Sequence, residues 1–296
     1  MDKRTGLAYL ALLLAPVFWG GAFVAAKIVV SQIDPEVAAA ARFGLSFAVL
    51  MLLLVVLEKT ALPAPRDWPI LVALGFTGIF LYQEFFFYGM RFAAATDGSL
   101  VVASNPVFTV LLAGWLLRER LGMAQVGGLL LSLAGMLIII TKGSWEVLAH
   151  HAFNRGDLLL LGCAVAWALY TVWGKKALDR FSPLALTTFA SGFGALFLLA
   201  VAVPDLGGSP LRLLNPAGIG SLVFLGVLAS GVANVFWYAG VRGVGASRAA
   251  VFVNMVPFWS AVTAALFLGE QLRLFHLAGA VLILGGVYLA TRKGHA

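Results

Sequence analysis

Asn105-Pro106, followed by Glu119, Leu121, Gly128, Gly135 and Lys142, returns 151 residues later as Val256-Pro257 with Glu270, Leu272, Gly279, Gly286 and Lys293. Working outward, Trp19, Lys27 and Pro35 return at an offset of 148 as Trp167, Lys175 and Pro183. A three-residue insertion in the loop around Asp205–Pro210 accounts for the change of offset. The chain reads as two copies of one unit. If the unit crosses a membrane an odd number of times, the second copy enters from the opposite side.

Composition puts the chain in a bilayer. Apolar residues make up 61% of 296 positions, charged residues 11%, and the mean hydropathy is +0.98. A soluble domain of this length needs far more charge to cover its surface, so the fold class is an all-α integral membrane protein. The net charge of +7 has no basic cluster on one face, and nucleic acid is not a partner. Cys163 is alone in an apolar run, which leaves neither a disulfide framework nor a thiolate metal site. Lys3-Arg4 and the apolar run behind them imitate a signal peptide. The run continues to Val30, however, and aligns with an internal segment of the second copy, so it reads as a retained first helix.

Spanning takes about 20 apolar residues. Ten segments qualify, at 7–31, 35–58, 68–91, 95–117, 122–141, 156–178, 183–204, 216–240, 246–268 and 273–291. Asp34-Pro35, Ser182-Pro183 and Asn215-Pro216 each place a capping side chain before a proline suited to the first helical position. With the N-terminus cytoplasmic, 13 basic residues fall on inner segments and 5 on outer loops, and Lys27 and Arg42 lie within spans. That bias predicts cytoplasmic termini. The expectation is ten transmembrane helices in two inverted five-helix repeats, 1–142 and 156–296, joined by an outer loop 143–155.

Matched features fall at matched depth. Trp19 and Trp167 lie mid-span in the first and sixth segments, and Pro106 and Pro257 lie mid-span in the fourth and ninth. Each proline frees the carbonyl four residues earlier, Val102 or Val253, which in hydrocarbon needs a polar partner or a wet cavity. Ser104, Asn105 and Asn254 stand nearby as donors. The prolines read as hinge-like kinks walling a central cavity or as kinks that only fit the bundle's shape. Gln83 aligns with Asn234 at the 151 offset, and amides inside spans turn toward the bundle interior. For Trp19, Tyr82, Trp167 and Tyr170, cavity lining and core packing both fit the pattern. Trp237 lies beside the Asn234 amide, whereas Tyr88 and Tyr238, near helix ends, read as interfacial belt residues. Arg42 and Glu84 lie at similar depth and suggest an ion pair or shared water; the sharper alternatives give Glu84 proton coupling or give Arg42 a substrate carboxylate. The small residues Gly127, Gly128, Gly135, Gly279, Gly285 and Gly286 mark close helix packing.

Trp19-Gly20, Pro35 with Arg42, Asn105-Pro106 running to Glu119-Arg120-Leu121 with Gln125 and Gly127-Gly128, and Pro257 with Gly269-Glu270-Gln271-Leu272 and Gly279 together resemble the drug/metabolite transporter superfamily. The likeness is to its EamA-type ten-helix carriers, and in length and aromatic content to YddG-type aromatic amino-acid exporters of bacterial inner membranes. It covers nearly the whole chain. It implies export of aromatic and other small neutral amino acids by alternating access, through a cavity between the first, third, fourth, sixth, eighth and ninth helices. On that reading Trp19, Tyr82, Gln83, Asn105, Trp167, Tyr170, Asn234, Trp237 and Asn254 contact substrate. The second copy departs by placing Val256 where the first has Asn105.

An enzyme is not expected. There is no His-Glu-x-x-His, no intramembrane aspartate pair and no serine–histidine pair within spans, and His150, His151, His276 and His295 fall in loops or near helix ends. No nucleotide-binding glycine loop is present, since Leu169 stands where the motif before Gly174-Lys175 needs glycine. No cofactor, metal or obligate protein partner is implied; the partners are the bilayer and a small solute. Import, another metabolite or drug as cargo, and a passive channel share the same sequence features.

Overall fold

The computed structural model describes residues 3–59, 63–90, 92, 104–120, 122–149, 155–208, 211–269 and 271–291. Within them the chain is helical throughout, without strands. The apolar helices are α1 (Lys3–Val30), α2 (Pro35–Glu58), α3 (Pro65–Phe86, continuing to Met90), α4 (Asn105–Leu116), α5 (Met123–Ile140), α6 (Arg155–Ala177), α7 (Pro183–Asp205), α8 (Pro216–Val244), α9 (Ala246–Phe267) and α10 (Leu274–Thr291). Among the described residues nine are long and apolar enough to cross a bilayer, and α4 is shorter. Residues 95–103 of the expected fourth span lie outside the described residues, as do Val102, Leu121, Glu270, Lys293, His150, His151 and His295.

The helix starts follow the sequence chemistry. Asp34 Oδ1 accepts from the Glu36 amide at 3.0 Å, Ser182 Oγ from the Ala185 amide at 2.9 Å, and Asn215 Oδ1 from the Gly218 amide at 2.9 Å. Each satisfies a donor that the first helical turn leaves orphaned, with proline next in line. Leucines on every side of the bundle, among them Leu7, Leu52, Leu111, Leu130, Leu196 and Leu266, are exposed. So much outward apolar surface is stable only against lipid.

Glycines set the closest helix pair. A Cβ on Gly128 would stand 2.5 Å from the Gly286 carbonyl oxygen, and one on Gly135 would stand 2.5 Å from the Gly279 carbonyl oxygen. No side chain fits there, so α5 and α10 meet backbone to backbone. As numbering climbs from 128 to 135 the partner descends from 286 to 279, so the two helices run antiparallel. Gly279 and Gly286 are also the 151-offset counterparts of Gly128 and Gly135. Each glycine therefore meets the counterpart of the other.

The remaining packing has the same reciprocity. α1 lies against α8 and α9, α6 lies against α3 and α4, and α2 lies against α7. Gly75 of α3 packs on Phe193 and the Ala190 carbonyl of α7; its counterpart Gly226 of α8 packs on Leu45 and the Arg42 carbonyl of α2. Both α3 and α8 widen into π-helix at corresponding places, Phe76–Leu81 and Phe224–Val232. Such widened turns loosen the carbonyl ladder and recur at functional sites.

Candidate functional site

The π-helical turns and two glycines build the centre. Gly78 of α3 leaves room for Tyr170, whose ring atoms come within 2.1 Å of where a Cβ would stand; Gly174 of α6 does the same for Tyr238 at 2.2 Å. Around these contacts α1, α3, α6 and α8 assemble one aromatic cluster. Ring centroids lie 5.3 Å apart for Trp19–Trp167, 5.6 Å for Trp19–Trp237 and 5.5 Å for Trp167–Trp237. Tyr82 joins Trp167 at 6.0 Å, and Tyr170 joins it at 5.6 Å. Five residues expected from sequence to contact substrate thus meet in one place.

Hydrogen bonding in the cluster is incomplete. Trp19 Nε1 donates to the Ala229 carbonyl at 3.1 Å, inside the widened turn of α8. Among the described residues, the Nε1 groups of Trp167 and Trp237 and the Tyr170 hydroxyl are buried with no partner. A buried polar group without a partner costs about 1–3 kcal/mol. Several donors converging in an aromatic cluster therefore suit a ligand that accepts hydrogen bonds.

The polar residues divide. Asn105 opens α4, its amide meets the Tyr82 hydroxyl, and its Oδ1 is buried and unpartnered. Gln83 is buried and lines a cavity of about 30 Å³ with Arg42, Ala26, Ala38, Ala39 and Leu225. Asn234 is buried on α8. Asn254 goes elsewhere: its Nδ2 donates to Ser132 Oγ of α5 at 2.7 Å, which ties α9 to the α5–α10 scaffold. A second cavity of about 610 Å³, between α2 and α7, has a wholly apolar character and contains none of the expected substrate residues.

Four expectations change. Tyr238 is fully buried and donates its hydroxyl proton to the Tyr170 carbonyl at 2.9 Å, so it is a core residue and not part of an interfacial belt. Pro257 does free the Val253 carbonyl, but the backbone of α9 tightens to 3₁₀ over Val251–Met255 and the Val256 amide takes that carbonyl. No outside polar partner is needed there. Pro106 stands second in α4, a position where its missing N–H costs nothing. The Arg42–Glu84 ion pair is absent among the described residues: Arg42 Nε donates to Ser230 Oγ at 2.5 Å, and its guanidinium lies 5.0 Å from the Phe43 ring centroid. Ser230 carried no signal in sequence beyond a hydroxyl within an apolar span.

Glu119 also gains a role. Its two carboxylate oxygens accept from the Ala246 amide at 3.0 Å and the Ser247 amide at 2.8 Å, which caps α9 from the α4–α5 turn. Gly245 turns the chain into that cap at φ +92, where other residues are strained. Acidic side chains suit helix N-termini. Asp67 pairs with Arg180, and Ser182 Oγ donates to Glu58 Oε2 at 2.6 Å, so the turns of the two copies are stitched together. Asp34, Glu36 and Asp205 also converge, their oxygens within 4.8 Å of one another, with Asp34 spent on the α2 cap.

The described helices form a multi-helix membrane bundle whose aromatic and polar side chains gather at one centre. The EamA-like transporter family matches the chain twice, over residues 6–141 and 154–292, and the chain belongs to that family. The transporter YyaM of Bacillus subtilis is 32% identical over 96% of this chain and 93% of its own. A transporter of Archaeoglobus fulgidus is 31% identical over the full length of both. A protein of Streptantibioticus cattleyicolor described as a probable terminal-alkyne amino-acid exporter is 30% identical over 96% of this chain and 93% of its own. A solved crystal structure shares the fold, with a TM-score of 0.80 over 98% of both chains at 24% identity.

Proposed function

We propose that the chain is a secondary carrier of ten membrane helices in two inverted halves, 1–142 and 156–296, joined by 143–155, and that it exports small neutral amino acids, aromatic ones among them. It sits in the bacterial inner membrane with both termini cytoplasmic, as the 13-to-5 loop charge bias favours. The antiparallel meeting of α5 with its counterpart α10, the twin π-helical turns and the double family match support the inverted repeat.

The observation that carries the mechanism is the one-sided indole bond. Trp19 and Trp167 are repeat counterparts, as are Ala229 and Gly78. Trp19 donates to the Ala229 carbonyl, while Trp167 Nε1 has no partner among the described residues. Two equivalent halves thus hold unequal conformations in one molecule. Exchanging those conformations would pass the bond from Trp19–Ala229 to Trp167–Gly78 and move access from one side of the membrane to the other.

The polarity of the centre supports an amino acid as cargo. Tyr82, Gln83 and Asn105 offer hydroxyl and amide groups, and Trp19, Trp167, Tyr170 and Trp237 offer ring surface. A relative described as an amino-acid exporter points the same way. Purified protein in proteoliposomes, loaded with each radiolabelled amino acid in turn, should release some with saturable kinetics and trans-stimulation. Release that rises linearly with concentration and ignores solute on the far side would mark a channel and contradict the carrier.

A further inference from the structure

Arg42 is a cation within α2, and no carboxylate faces it among the described residues. Its Nε is spent on Ser230, which leaves the N–H groups of its two terminal nitrogens. The guanidinium carbon stands 5.0 Å from the Phe43 ring centroid. Arg42 and Gln83 together line the cavity of about 30 Å³ between α1, α2, α3 and α8. A water needs about 10–15 Å³ on this measure, so the space holds two, the size of a carboxylate's pair of oxygens.

Energetics argue for an anion there. A charged side chain within a span costs at least about 2.5–3.5 kcal/mol, and such residues ordinarily find a counter-charge. Tyr82 carries the connection to the aromatic cluster: it precedes Gln83 in α3, and its ring centroid lies 6.0 Å from that of Trp167. The second half has no equivalent. The counterparts of Arg42 and Ser230 are Ala190 and Ile79, which are apolar.

Resting on the carrier reading above, we infer that Arg42 is the carboxylate anchor of the substrate site. The terminal nitrogens of Arg42 hold the carboxylate through a planar fork of donors. Ser230 fixes the orientation of that fork as a positioning residue, Gln83 lines the same space, and the substrate side chain extends past Tyr82 toward Trp167 and Trp237. The site then discriminates acids from their uncharged carboxyl derivatives.

The test compares the best-transported of the common amino acids with its own carboxamide in proteoliposomes. Wild type should favour the acid by about ten- to a hundredfold in kcat/KM, the range of a charge-assisted hydrogen bond. Arg42→Gln should raise KM for the acid by a similar factor and bring the acid-to-amide ratio near one. Arg42→Lys, which keeps charge without the fork, should retain the preference with a raised KM. If Arg42→Gln does not fold, wild type and Arg42→Lys still decide the matter: equal transport of acid and amide by wild type overturns the anchor. A folded Arg42→Gln with an unchanged ratio overturns it too, and in both cases saturable amino-acid transport leaves the carrier reading standing. Failure of wild type to move any amino acid would remove the anchor and that reading together.

Discussion

The two halves share a scaffold and differ at the centre. Arg42, Tyr82, Glu84 and Asn105 of the first half have Ala190, Ala233, Val235 and Val256 as counterparts. Tyr170 and Trp237 of the second half have Ala22 and Phe86. Where helices only pack, as at Gly128 and Gly279 or Gly75 and Gly226, both copies kept the same small residue against the same kind of neighbour. At these central positions the copies diverged: the first half alone carries Arg42, Tyr82 and Asn105, and the second half alone carries Tyr170 and Trp237. Packing demands tie equivalent positions together, because a two-fold contact is broken by a change on either side. The centre escapes that constraint, since one solute has to be met there by two different surfaces.

The symmetric part should break symmetrically and hard. Gly135→Ala and its counterpart Gly286→Ala each drive a Cβ to 2.5 Å from a backbone oxygen across the α5–α10 contact. Each should cost about 2–3 kcal/mol, read as a lowered Tm in detergent. Gly285→Ala, whose nearest neighbour is Leu131 Cδ2 at 3.6 Å, should change Tm little. Unequal effects of the first two would argue against the reciprocal contact.

The asymmetric part should break on one side only. Asn105→Val writes the second half's Val256 into the first and removes the amide that meets Tyr82. It should raise KM for a transported amino acid by about tenfold, and Val256→Asn should not repair the loss. Glu119→Gln weakens a two-oxygen cap and should speed hydrogen exchange at the Ala246 and Ser247 amides by about tenfold. Smallest is the indole pair. Trp19→Phe removes a bond worth about 1 kcal/mol, whereas Trp167→Phe removes a donor that has no acceptor. The first should lower Tm and the second should leave it level or raised.

Much of the scaffold could be read from the chain. Proline after Asp34, Ser182 and Asn215 marks three helix starts, and the glycines mark α5 and α10 as closely packed helices, though not as each other's partner. Depth and repetition marked Trp19 and Trp167 as a matched mid-span pair, but not their meeting with Tyr82, Tyr170 and Trp237. Helix rotation was harder. Hydropathy fixes how deep a residue lies but not which neighbour it faces, so equal depth suggests Glu84 or shared water for Arg42 and does not reveal Ser230. Asn254 turned toward Ser132 for the same reason. Tyr238 lies one turn deeper than the expected helix end at 240 implies, because α8 extends to Val244. The Val253 carbonyl found its partner through a local 3₁₀ turn, a backbone adjustment that no side-chain pattern announces.

Sidedness of the two halves tests the account most directly. Single cysteines at Lys3 and Glu146, in a Cys163→Ala background, can be labelled in sealed vesicles with a reagent that does not cross lipid. Five crossings lie between them in the inverted arrangement, so one should react from the inside and the other from the outside. Labelling of both from the same face would give the halves equal polarity and contradict a carrier that works by exchanging their conformations.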